Sequence, residues 1–83
     1  MLSEHHDISH EFPEYHRMIE TLRATDKAFD ELVAKHDYID DEIRRLEERQ
    51  QPISDQEMEK LKFERAALKD RIYQTLRANA AKA

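Results

Sequence analysis

Apolar residues recur along the first half of the chain at alternating steps of three and four positions. The series runs from Tyr15 to Gln50 in an unbroken heptad register. This spacing places one side chain per turn on a single stripe of an α-helix, where a second helix can bury it. The pattern predicts a first helical arm over residues 26–50, with a buried stripe that consists of Phe29, Leu32, His36, Ile39, Ile43 and Leu46.

A second series with the same spacing follows Pro52. Pro52 lacks the backbone N–H that continues a helix, and the pair Ser54 and Glu57 has the spacing of a capping box that starts a new one. We therefore expect a second arm over residues 54–79. Its stripe consists of Met58, Leu61, Leu68, Ile72 and Leu76, with Arg65 in the gap.

The short connector requires the two arms to run antiparallel. Residues 26–50 contain nine acids and five bases, and residues 51–83 contain five acids and seven bases, so the arms attract each other. The predicted fold class is all-α: an antiparallel, coiled-coil-like helical hairpin with an N-terminal helical extension, in one domain over residues 1–83. The expected neighbours across the hairpin are Phe29 and Leu76, Leu32 and Ile72, His36 and Leu68, Ile39 and Arg65, Ile43 and Leu61, and Leu46 and Met58.

The residues before the hairpin form two segments. Residues 1–12 are mainly polar, and we expect them to be solvated. Residues 13–24 begin with Pro13, which suits the first turn of a helix, and they predict a short amphipathic helix. A cap at Asp26 favours a break near Ala24–Asp26, but the heptad register continues across it, so one continuous helix is the alternative. The apolar stripe of this segment overhangs the hairpin and must fold back or meet another chain.

Composition limits what such a chain can do. The chain has 83 residues, of which 40% are charged, and it contains no Gly, Trp or Cys. Without Gly, phosphate-cradling loops and hairpin-rich β folds are disfavoured. Two helices bury only the seam between them. The core of a chain this small seldom contributes more than ~3–5 kcal/mol to the free energy of unfolding. We therefore expect a third helix on the hairpin or assembly into a homo-oligomer.

Charge and hydropathy indicate the compartment of the protein and whether it binds membranes or nucleic acid. No apolar run approaches the ~20 residues of a membrane span, and the N-terminus lacks the apolar region of a signal peptide. We expect a cytoplasmic protein that does not enter membranes. The net charge of −5 argues against general attraction to nucleic acid. The second arm is nevertheless basic through Lys60, Lys62, Arg65, Lys69, Arg71 and Arg77.

Several short motifs follow one another in a fixed order and spacing. They are Phe12-Pro13-Glu14-Tyr15, Phe29-x-x-Leu32-x-x-x-His36-Asp37, Ile39-Asp40-x-x-Ile43, and Leu61-Lys62 followed by Leu68-Lys69-Asp70-x-Ile72-Tyr73. Together they resemble the YdcH-like family of small bacterial proteins of unknown function, from about Phe12 to Leu76. The resemblance implies a helical hairpin or coiled coil and no catalytic residues.

Two groups of residues could carry metal or acid–base chemistry. His6 and His10 lie one helical turn apart, as in a metal-chelating pair, but no third ligand is evident; we expect no metal and no cofactor. The carboxylates from Asp37 to Glu42 spread around a helix, which predicts a solvated acidic face. A hairpin also offers no pocket from which water could be excluded, so we expect neither an enzyme nor a small-molecule substrate.

His36 differs from the other histidines because it occupies the buried stripe. A polar residue in such a position can fix the alignment of two helices at some cost in stability. We interpret His36 as a hydrogen-bonded core histidine with Asp37 as a plausible neighbour. A pH-sensitive switch is the competing hypothesis.

These observations favour a non-enzymatic protein–protein interaction module: a small bacterial adaptor or regulator that docks an unknown protein and associates with itself through helix faces. A nucleic-acid- or ribosome-associated factor that uses the basic second arm is the alternative. Tyr38, Phe63 and Tyr73 lie off the main stripe, either as ordinary exposed aromatics or as a second apolar face. The predicted contact residues are Tyr15, Met18, Ile19, Leu22, Tyr38 and Phe63.

Overall fold

A computed structural model describes residues 7–49 and 53–82, and within these ranges the chain is helical with no strand. The connector residues 50–52, including Pro52, lie outside the described residues. The predicted all-α helical hairpin with an N-terminal extension is confirmed. The elements are α1 (Ile8–Glu11), a 3-10 turn (Pro13–Tyr15), α2 (His16–Thr25), α3 (Lys27–Glu48) and α4 (Asp55–Lys82).

Side-chain caps define where the two long helices begin. Asp26 is extended, with φ −126° and ψ 101°, and its carboxylate accepts the backbone N–H of Phe29 at 3.1 Å. The helix therefore breaks at Asp26, as the capping pattern favoured, because a capped start satisfies donors that a new helix leaves unpaired. Ser54 Oγ accepts the N–H of Glu57 at 3.1 Å in the same way. Helix α4 continues to Lys82, three residues beyond the predicted end.

The arms α3 and α4 pack antiparallel, and Arg65 meets Asp40, the residue next to its expected neighbour Ile39. Near the turn, Ile39, Ile43 and Leu68 are buried together, with the partly buried Leu32, Met58 and Leu61 against them. At the open end, Phe29, Val33, Ile72 and Leu76 form the hairpin part of a second cluster. Leu46, which was also predicted in the seam, is only partly buried.

The N-terminal segment completes the second cluster by folding back onto the hairpin. Ile8, Phe12 and Ile19 are buried against Phe29, Val33 and the end of α4. The expectation that residues 1–12 are solvated is therefore wrong for Ile8 and Phe12. The apolar stripe of this segment was expected either to fold back or to meet another chain, and in the structure it folds back onto its own hairpin. This supplies the third layer that a two-helix seam lacks.

Packing on two sides widens the buried stripe of α3. Val33 and Asp40 are buried in addition to the predicted seam residues. Val33 joins the cluster that contains Ile8, Phe12 and Ile19, whereas Asp40 contacts α4 through Arg65. A heptad stripe assumes one partner helix, and α3 also packs on the N-terminal segment, which is why Val33 was missed. Asp40 was missed because its burial depends on the ion pair with Arg65, which an apolar pattern does not reveal.

Candidate functional site

His36 is the most deeply buried titratable side chain of the first arm, with none of its surface exposed. Its Nδ1 lies 3.0 Å from Asp37 Oδ1, and the same oxygen accepts the backbone N–H of Ile8 at 3.1 Å. The Nε2 atom is buried and has no hydrogen-bond partner among the described residues. The carboxylate of Asp37 thus links the start of α1 to the hairpin. The hypothesis that His36 acts as a pH-sensitive switch stays a prediction.

The other carboxylates near His36 hold structural positions rather than forming the solvated face that was expected. Asp40 is buried and accepts from Arg65. Asp41 accepts from Arg44 at 2.8 Å and lies 2.7 Å from Arg45. The hydrogen bond to Asp41 raises the pKa of the Arg44 guanidinium. These carboxylates are directed to separate partners around α3, an arrangement unlike a shared cation site.

Three of the basic residues of the second arm face acids of the same chain. Arg65 Nη1 lies 2.7 Å from Asp40 Oδ1, Lys62 Nζ lies 3.6 Å from Glu47 Oε2, and Lys69 Nζ lies 3.2 Å from Glu11 Oε1. Intramolecular carboxylates offset the positive potential that a phosphate backbone needs. These contacts weaken the case for a nucleic-acid face on α4.

Of the two candidate metal ligands, only His10 lies within the described residues. His6 lies outside the described residues, and His10 Nδ1 contacts the carboxylate of Asp7, which also caps α1 by accepting the His10 N–H at 3.1 Å. Within residues 7–49 and 53–82, no group of three His, Asp or Glu side chains could hold a metal ion. His10 instead belongs to the cap of a short helix.

The outward face of α4 carries the largest exposed apolar side chain of the described residues. Phe63 is 74% exposed. It follows Leu61 by two positions, which turns it about 200° around the helix, away from the seam. Residues three or four positions away share its direction, and all of them are exposed. We name this surface the Phe63 face, and it consists of Gln56, Glu59, Lys60, Phe63, Ala66, Ala67 and Asp70.

An aromatic cluster borders the Phe63 face toward the end of α4. The ring of Phe12 stacks on Tyr73 with centroids 5.3 Å apart, and Tyr15 meets both rings edge-on at 6.5 Å. Lys69 lies 6.0 Å above the Phe12 ring, within the range of a cation–π contact. The N-terminal segment therefore covers part of Tyr73, which remains 36% exposed, and leaves Phe63 at 74% exposure. A groove of about 240 Å³ beside Tyr73 is lined by Phe12, Ala66, Lys69, Asp70 and Tyr73.

The structure divides the predicted contact residues into two groups. Tyr38 and Phe63 are open to solvent, at 66% and 74% exposure. Tyr15, Met18 and Leu22 are partly buried against the core of their own chain. Ile19 is only 3% exposed, so within this chain it is a core residue and not part of an exposed surface. A heptad-spaced series through Ile8, Phe12, Tyr15, Ile19 and Leu22 was the signal in the sequence that the N-terminal segment is a packed element.

No helix formed by the described residues combines the length and apolar character needed to cross a membrane.

The fold described above is a small helical hairpin with a folded-back N-terminal segment. The model of a family described as proteins of unknown function (DUF465) matches residues 29–76, more than half of the chain. The chain belongs to this family, which includes YdcH, and the resemblance to YdcH-like proteins is confirmed.

The matched residues begin at Phe29 and end at Leu76, the two ends of the hairpin seam. The motif Phe12-Pro13-Glu14-Tyr15 lies before the match, so the shared part is the hairpin and the N-terminal segment falls outside it. Searches of curated proteins and of solved structures returned no significant match to this chain.

Proposed function

We propose that this protein is a non-enzymatic protein–protein interaction module of the bacterial cytoplasm that docks another protein on the Phe63 face. The observation that carries the proposal is the 74% exposure of Phe63 at the centre of a long helix face. Aromatic side chains provide much of the binding energy in protein interfaces when a partner removes them from water. The other large apolar residues of α4 are already engaged with the hairpin or the N-terminal segment.

The chemistry around Phe63 fits an amphipathic helix of a different protein. Ala66 and Ala67 are small, so a partner helix can approach the backbone of α4 closely, and the groove beside Tyr73 can accept a bulky apolar side chain. Glu59, Lys60 and Asp70 place both charge signs around the aromatic ring. A partner with interspersed charges satisfies this pattern better than a uniformly anionic one does.

Site-specific photo-cross-linking in the native cell tests the proposal. A benzophenone amino acid replaces Phe63 in one variant and Tyr38, the matched exposed aromatic on the other arm, in a second. We expect a discrete adduct with one protein at position 63 and a much weaker adduct at position 38. The purified partner should then bind the Tyr38→Asp variant but not the Phe63→Asp variant.

Three outcomes contradict the proposal. Adducts of equal strength at both positions would show that Phe63 is an ordinary exposed aromatic. Binding that survives Phe63→Asp would place the contact elsewhere. An adduct with twice the mass of the chain would assign the face to a second copy. Far-ultraviolet circular dichroism of both Asp variants verifies that they remain helical, since both positions are exposed and tolerate a charge.

A further inference from the structure

A hinge of one residue joins the N-terminal segment to the hairpin. Helix α2 ends at Thr25, α3 begins at Lys27, and only Asp26 between them has an extended backbone. The neighbouring residues Ala24, Lys27 and Ala28 favour helix. The bend is held by the cap of Asp26 on Phe29 and by Arg23, whose Nε lies 2.7 Å from Asp30 Oδ1.

The heptad register passes through this hinge without interruption. Met18, Leu22, Thr25, Phe29 and Leu32 follow one another at alternating steps of four and three. In the bent chain Thr25 is exposed, whereas the other four residues pack into one cluster from two separate helices. In a straight helix all five positions would share one face. The sequence is therefore compatible with two backbone arrangements that differ at Asp26.

In the bent arrangement the N-terminal segment runs antiparallel to α3. Ile19 and Val33 belong to one cluster, and the N–H of Ile8, farther from the hinge, donates to Asp37, farther along α3. If two copies straightened at Asp26 and lay antiparallel, α2 of each would meet α3 of the other in this same orientation. Asp26 of both copies would lie near the two-fold axis.

We propose that the hairpin groove accepts the N-terminal segment of a second copy, giving a dimer in which residues 7–25 are exchanged reciprocally. The groove is the surface of Phe29, Val33, Ile72 and Leu76 that Ile8, Phe12 and Ile19 fill. Every contact across it re-forms between chains, because an exchanged element keeps its interactions and changes only its hinge. The inference does not depend on the Phe63 face.

Two hinge variants test the exchange in opposite directions. Lys27→Pro fixes the bend, because Pro suits the first helical position and requires the extended backbone that Asp26 already has. Asp26→Leu removes the cap and favours a straight helix. By analytical ultracentrifugation at equal high concentration, we expect Lys27→Pro to be a monomer and the dimer fraction of Asp26→Leu to rise several-fold above it. Asp26→Ala provides a milder version with the same expected direction.

Zero-length cross-linking distinguishes exchange from any other dimer. Glu11 Oε1 and Lys69 Nζ form an ion pair at 3.2 Å, and a carbodiimide condenses such a carboxylate and amine to an amide with loss of water. Two differently tagged chains of the Asp26→Leu variant, one with Glu11→Gln and the other with Lys69→Arg, are mixed and cross-linked, so that Glu11 of one chain can join only Lys69 of the other. We expect this cross-link, identified by peptide mass spectrometry, to be several-fold more abundant than in the Lys27→Pro background. Equal yields in the two backgrounds, or monomers for both Asp26 variants, would overturn the proposal.

Discussion

Arg65 donates through Nη1 to Asp40 Oδ1 at 2.7 Å, although the two residues lie 25 positions apart on opposite arms. The Asp40 side chain is 3% exposed and the Arg65 side chain 25%. A carboxylate removed from water needs such a partner, since an uncompensated buried charge is strongly destabilising. The contact falls where the apolar series of the second arm is interrupted, so it fixes the alignment of the two arms.

Removing Arg65 should therefore destabilise the protein more than removing an exposed base. We expect Arg65→Ala to lower the free energy of unfolding by about 1–3 kcal/mol, because Asp40 stays buried without its guanidinium. The matched control is Lys62→Ala, whose pair with Glu47 is exposed on both sides and should contribute less than about 1 kcal/mol. Urea unfolding measures both values, and equal losses would contradict the assigned role of Asp40.

Ile8 is the residue for which the sequence reading and the structure disagree most clearly. Its side chain is fully buried against the hairpin, so Ile8→Ala should lower the free energy of unfolding by about 2–4 kcal/mol through the cavity it leaves. Ser9→Ala, at the next and exposed position, should change it by less than about 0.5 kcal/mol. If thermal unfolding gave the same small change for both variants, the N-terminal segment would be solvated after all.

Leu68 occupies the centre of the hairpin seam. Leu68→Asp buries an unpaired carboxylate among Ile39 and Ile43, and we expect it to unfold the chain, since the cost of several kcal/mol is comparable to the whole stability of a small domain. Ala67→Asp places the same charge at the adjacent exposed position and should remain helical. Circular dichroism and sedimentation of the two variants provide the comparison, and a folded, equally stable Leu68→Asp would refute the neighbour assignments.

Asp37 and His36 should make unequal contributions to stability. Asp37→Ala leaves the buried Ile8 N–H without its acceptor, and we expect a loss of about 1–2 kcal/mol. His36→Leu replaces an imidazole whose Nε2 is buried and unpaired with an apolar side chain of similar size, so we expect a change within about 1 kcal/mol in either direction. Denaturant unfolding that showed a larger loss for His36→Leu would mean that the imidazole makes a stabilising contact beyond Asp37.

The sequence predicted those parts of the fold that depend on local chemistry or on one repeated spacing. The heptad series located both arms, and the predicted neighbours Ile43 and Leu61 occupy one cluster. The Ser54 cap and the break at Asp26 followed from side chains that accept nearby backbone N–H groups. These features could be predicted from the sequence because they depend on residues within a few positions of one another or on a regular period.

The burial of Ile8, Val33 and Asp40 could not be derived in the same way. Ile8 meets Asp37 across 29 positions, and nothing local in the sequence specifies that pairing. A series through Phe29, Val33, His36, Asp40 and Ile43 was equally regular in α3. It was not part of the predicted stripe, and the N-terminal segment that packs on α3 buries Val33 in addition to that stripe. The sequence identified Phe63 as an aromatic residue outside the seam. It could not predict that Phe63 stays exposed, because that depends on which part of the hairpin the N-terminal segment covers.

The N-terminal segment is a packed part of the molecule, and amide hydrogen exchange, followed residue by residue by NMR, tests this packing most directly. We predict that the amides of Ile19 and Leu22 in α2 are protected to nearly the same degree as that of Ile43 in the hairpin seam, because one cooperative core includes both. Rapid exchange throughout α2, beside a protected α3 and α4, would contradict it.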